Sequence, residues 1–291
     1  MITSRDSLVQ HGMANVLEKI LHSALEPSQF RWLEQRMGEL LKSPSARELY
    51  LAYTLIGQKF GVTPVDLQDS EDELSTDYLA HHEINLAEAG RLWLLLNVLQ
   101  NQPEAYEKAV QKLIEVADGR ELTTFLRDLW LLPALEHFCD TAVEALRTNM
   151  VPVFDAIALH NPYPTLYFNE QQWNQMYLKA AFMQRPLQQI VGVEERANVE
   201  LSRIISDYAH ERWAASREID ARIWRPVAFA PAPGTLEDIR KLLKQGSQAE
   251  IHAAVLVAAS SADKQLRALA LERPDILERI KNKTLNWNNL K

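Results

Sequence analysis

Residues 135–157 read LEHFCDTAVEALRTNMVPVFDAI, and the apolar residues Leu135, Phe138, Cys139, Ala142, Val143, Leu146, Met150, Val153, Phe154 and Ile157 recur at spacings of three and four. That spacing gathers them on one stripe of an α-helix. The stretch predicts a long central helix, with Pro133 in its first turn and a kink or split at Pro152, where a backbone N–H is missing. Asn161-Pro162-Tyr163-Pro164 then ends it, because the residue before a proline is pushed out of helical backbone.

Working outward, the same spacing recurs in both directions, whereas the period-2 alternation of strands does not appear and only nine glycines occur in 291 residues. The chain therefore reads as all-α. On the N-terminal side the pattern predicts helices over 14–25, 29–42, 46–60, 86–100, 104–117 and 121–131. Beyond the central stretch it predicts 170–183 and 194–216, then short helices over 236–244, 249–259, 263–271 and 275–281. Ser45 with Glu48, and Ser247 with Glu250, have capping-box spacing, in which hydroxyl and carboxylate satisfy each other's free backbone N–H groups. The acidic run 66–77 reads as a solvated loop or short helix, and the Pro- and Ala-rich stretch 224–234 as an extended connector.

This organisation suggests a multi-helical array: a helical domain over 1–230 and, over 231–291, C-terminal hairpins packed on it. Short helices joined by tight turns resemble the HEAT-like hairpins of an α-solenoid, although no fixed-period repeat is sustained.

Composition narrows the function classes. A net charge of -8 disfavours a broad phosphate-binding surface, so nucleic acid is not expected as a partner. The single cysteine, Cys139, allows no internal disulfide, and on the apolar stripe it reads as a small hydrophobe. Residues 1–25 lack the apolar run of a secretory signal, and no stretch approaches the roughly 20 apolar residues of a membrane span. The expected location is the cytoplasm, with recruitment to the inner face of the membrane only through a partner.

Six segments, in order, resemble those of one family: Ala145-Leu146-Arg147-Thr148-Asn149, Asn161-Pro162-Tyr163-Pro164, Trp173-Asn174-Gln175-Met176, Arg196-Ala197-Asn198, the run from Asp207 to Ala215, and Trp224-Arg225-Pro226-Val227. The chain resembles the EboA family of metabolite-traffic proteins over residues 122–270, and before that only in helical character. Ser216 departs from the pattern, standing where the family commonly has glycine. The resemblance implies a role beside a UbiA-like membrane prenyltransferase and several soluble proteins encoded with it, in moving a secondary-metabolite precursor out of the cytoplasm. It does not supply the molecular task of this component.

Two constellations are candidates for a ligand or partner surface. Asp207, His210 and Glu211 share a helix face at i, i+3 and i+4, and Arg225 is available to them. An acid/base site acting on a hydrophobic or prenylated precursor is one reading, and an ion-pair network with Arg203, Arg212, Arg217 or Arg225 is the other and the preferred one. Four residues after His210 stands Ala214, so the zinc-protease spacing is missing. Tyr163, Tyr167, Phe168, Trp173, Tyr177 and Phe182 form an aromatic concentration that would line a pocket, with Asn174 and Lys179 as polar handles, or would simply be core. Asn161, with His160, reads as a turn-capping group.

The chain carries no glycine-rich phosphate loop, serine elbow, Cys-x-x-Cys pair or paired acidic magnesium motifs, so no cofactor or metal is expected. The reading that follows is a non-enzymatic scaffold or metabolite-binding adaptor. Trp213 is expected to pack against neighbouring helices.

Overall fold

The computed structural model describes residues 4–66 and 78–290. The chain is 71% helical, and no strand occurs among the described residues, as the helical spacing requires. Contacts divide it into two units, Met1–Ile157 and Ala158–Lys291, so the helices after residue 231 belong to the same unit as the stretch before them. Of the acidic run, residues 67–77 lie outside the described residues.

In the first unit, α1 (Ser4–Ala24), α2 (Pro27–Lys42) and α3 (Ala46–Phe60) all pack on α4 (Leu86–Asn101). So do α5 (Pro103–Gln111) and α7 (Gly119–Arg127), with the one-turn α6 (Leu113–Val116) between them. Helix α4 buries residues on every face, from Leu86 through Leu99. A helix apolar all round has no side to offer water, so it takes the centre. Its crossing with α3 is close: a Cβ on Gly90 would stand 2.8 Å from the Phe60 ring, so only glycine fits there.

The centre is therefore α4 and not residues 135–157, which do not form one long helix. Ala134 is left-handed, a 3₁₀ turn occupies Leu135–Phe138, α8 runs Cys139–Ala145, and α9 runs Val151–Ala158. Pro152 begins α9 instead of kinking a continuous helix, since its ring would collide with the carbonyl four residues back. Thr148 supplies the local alternative, its Oγ1 accepting the Met150 N–H at 3.0 Å.

Caps follow the side chains available. Asn85 with Glu88, Asp118 with Glu121 and Ser247 with Glu250 form reciprocal boxes. Ser45 makes only half of one: its Oγ accepts from Glu48, while its own N–H donates to the Tyr106 hydroxyl.

The second unit has the same logic. It comprises α10 (Tyr163–Tyr167), α11 (Glu170–Phe182), α12 (Val199–Ala214), α13 (Thr235–Gln245), α14 (Gln248–Ser260), α15 (Lys264–Ala270) and α16 (Pro274–Lys281). Helix α14, with the run His252-Ala253-Ala254-Val255-Leu256-Val257-Ala258 fully buried, is contacted by α13, α15 and α16. Residues 224–234 are no extended connector. Two 3₁₀ turns, Ala221–Trp224 and Pro226–Ala228, fold this stretch against α14 and bury Trp224, Val227 and Ala228. Burial of a tryptophan outweighs the extended preference of the prolines.

Candidate functional site

The aromatic concentration after α9 is mostly core. Tyr163, Phe168, Trp173 and Tyr177 are buried, Tyr167 is half-buried with its ring tilted 31° to that of Tyr163 at a centroid distance of 4.8 Å, and Phe182 alone of the six is exposed. The polar residues around the cluster hold it in place. Asn174 and Asn198 exchange side-chain amide hydrogen bonds at 3.2 and 2.9 Å, and Asn198 also caps α12 by accepting the Leu201 N–H.

Arg196 donates to the Thr165 and Phe168 carbonyls at the end of α10, at 2.7 and 2.6 Å, and lies over the Trp173 ring. A guanidinium at a helix C-terminus meets carbonyls that lack partners within the helix. Burial lowers its pKa from the ordinary value, and the nearby Glu170 acts the other way. Asn161 is buried and accepts the Tyr163 N–H at 2.9 Å, the turn-capping role its type suggests. Lys179 is half-buried, with its ammonium pKa pulled down by desolvation.

On α12 the acidic and basic residues find separate partners. Asp207 bonds Arg203 Nη1 at 2.6 Å, and Arg203 also grips Glu200. Arg225 bonds Glu194 at 3.1 Å. Glu211 is exposed, and among the described residues no ion pair involves it. His210 lies beside none of the anticipated arginines: its Nε2 stands 2.6 Å from Oδ1 of Asp238 on α13. Oδ2 of the same carboxylate accepts from Ser206 Oγ at 2.5 Å. A nucleophilic triad places histidine between serine and aspartate. Here the aspartate is in the middle, an arrangement that ties two helices together.

Asp238 was not singled out from the sequence. The legible half of the signal was Ser206, His210 and Trp213, which repeat on one face of α12 at i, i+4 and i+7.

That face ends at Trp213, which is half-buried and not core. Its ring stacks on the buried Trp224, with centroids 6.0 Å apart and planes 19° apart, and Lys241 Nζ sits 4.0 Å from its centroid. An ammonium over an indole is attracted by the ring's negative face. Trp213 and Lys241 form one wall of a cleft of about 730 Å³ completed by Arg217, Glu218, Gln245 and Ser247.

The chain between the two helices is shaped by Ser216, which takes a left-handed conformation with φ 52°. It follows that the departure from glycine does not abolish the cap. Arg217 N–H donates to the Arg212 carbonyl and Ser216 N–H to that of Trp213, the paired bonds of a Schellman ending.

Among the described residues no group of three or more His, Cys, Asp and Glu side chains is placed to hold a metal ion. No helix there is long and apolar enough to cross a membrane. Neither a curated protein nor a solved structure matches the chain. A family model described as metabolite traffic protein EboA matches residues 13–228, so it takes in the N-terminal helices that the six segments did not reach and stops short of α13 to α16. With about three quarters of its length matched, the chain belongs to the EboA family of metabolite traffic proteins.

Proposed function

We propose that this protein is a non-enzymatic scaffold or metabolite-binding adaptor in the traffic of a secondary-metabolite precursor out of the cytoplasm. In this reading it works beside a UbiA-like membrane prenyltransferase and the soluble proteins encoded with it. The observation that carries the reading is how the polar residues of the family segments are used. Asn161, Asn174, Arg196, Asn198 and His210 are all engaged in holding one helix to another or capping a turn.

One of those bonds, His210 to Asp238, ties α12 to α13, the helices that carry Trp213 and Lys241 beside the cleft. A fixed aromatic ring with a cation over it suits recognition, because little side-chain freedom is lost on binding. The test is a pull-down of the full chain from cells expressing the associated membrane and soluble proteins, with mass spectrometry of bound protein and small molecules. The wild type is expected to retain at least one of these proteins and Lys241→Glu to lose it. Recovery of none by the wild type, or equal recovery by the variant, overturns the reading.

A further inference from the structure

A second cleft, of about 890 Å³, lies wholly in the first unit, where α3, the start of α4 and the start of α7 meet. Small-molecule sites are mostly apolar clefts of roughly 300–1,000 Å³ with a few placed polar groups, and this one falls in that range. Its mouth carries Val62 and Met150, which leave 68% and 52% of their surface exposed, with Pro152 beside them. Its inner wall carries Arg91, only 7% exposed.

The acids of the cleft already have donors. Glu121 accepts from Arg91 Nη2 at 3.3 Å and from the Asp118 N–H at 2.9 Å. Glu88 accepts from Arg127 at 3.2 Å and from the Asn85 N–H at 3.0 Å. Asp118 caps α7 through the Arg120 and Glu121 N–H groups. The guanidinium is not so completed: Nε donates to the Tyr53 carbonyl at 3.2 Å and Nη2 to Glu121, but among the described residues Nη1 has no acceptor.

Nη1 is not sealed from solvent but opens toward the cleft, where an acceptor of a ligand can take the place of water on it. Room for the guanidinium is made by glycine, since a Cβ on Gly57 would stand 2.6 Å from Nη2.

We propose that this cleft binds an apolar small molecule with one hydrogen-bond-accepting oxygen head, a carboxylate or a carbonyl, received by Arg91 Nη1 while the apolar body lies on Val62 and Met150. Three carboxylates (Glu88, Asp118, Glu121) against two guanidiniums (Arg91, Arg120) line it, which disfavours a diphosphate or other polyanion. The proposal does not rest on the adaptor reading, because it concerns a different unit and is tested without partners.

The experiment is isothermal titration calorimetry of the full chain with octanoate, 2-octanone and octylammonium, three ligands of like length whose heads accept, accept, and only donate. Octanoate and 2-octanone are expected to bind, and octylammonium at least tenfold more weakly. Met150→Glu, at an exposed position where folding is undisturbed, is expected to weaken octanoate at least tenfold with an unchanged melting temperature. Arg91→Lys is expected to weaken both acceptors. Failure of the folded wild type to bind either acceptor overturns the proposal, as does octylammonium binding as tightly as octanoate, or Met150→Glu binding octanoate as the wild type does.

Discussion

Asp238 receives both Ser206 Oγ and His210 Nε2, so one buried carboxylate on α13 fastens two successive turns of α12. The two ends of this contact differ in exposure, since the His210 side chain is 57% exposed and that of Asp238 only 4%. Asp238→Ala leaves the Ser206 hydroxyl without its acceptor and should cost about 2–3 kcal/mol, while His210→Ala, at a largely solvated end, should cost less than about 1 kcal/mol. Urea unfolding of each variant checks the order. A larger loss for His210→Ala would remove the fastening role from Asp238.

The stacked tryptophans should separate in the same way. Trp224 is fully buried, so Trp224→Ala should lose about 3–5 kcal/mol through the cavity it leaves. Trp213 is half in water, and Trp213→Ala should lose only about 1–2 kcal/mol, from partial burial and the Lys241 contact. Denaturation midpoints at constant m-value give the comparison, and equal losses would contradict the packing.

Stability should fall in alkali. Burial raises the phenol pKa of Tyr53, Tyr78 and Tyr177 above the ordinary value, with Asp128 adding to the rise at Tyr78. A folded-state pKa above the unfolded one means that stability is complete below pH of about 10 and is lost as pH rises beyond it. Each such tyrosine removes about 1.4 kcal/mol per pH unit in that window. Tyr177→Phe should shallow the slope by that amount, and urea melts at a series of alkaline pH values would refute the assignment if the slopes coincide.

Ser216 holds a conformation that costs a residue with a Cβ about 1–2 kcal/mol, part of which glycine gives back as unfolded-state entropy. Ser216→Gly should therefore stabilise the protein by about 0.5–1 kcal/mol, read as a higher thermal midpoint. A lower midpoint would mean that the hydroxyl contributes more than the strain removes.

How far the sequence could be read follows from the range of the interactions. Helical spacing, the Ser247 and Glu250 cap and the turn role of Asn161 involve neighbours within four residues, so residue types alone determined the all-α class and most helix positions. Ordered motifs likewise pointed to the family. The stripe over 135–157 does not become one long helix because Thr148 and Pro152 offer the backbone a local way out, and the all-round apolarity of α4 gives that helix the centre.

Tertiary structure alone decided the rest. His210 and Asp238 are 28 residues apart, and Arg91 and Glu121 are 30 apart. Pairings at such separations depend on how one helix docks on another, which no local period records. The same docking turned the start of 224–234, Trp224 with Pro226 to Ala228, from a connector into core, made Trp213 a half-exposed wall of a cleft, and left Arg91 Nη1 facing a cavity without an acceptor among the described residues. A side chain's type announces what it can donate or accept, but only packing determines whether that capacity is used up inside the protein.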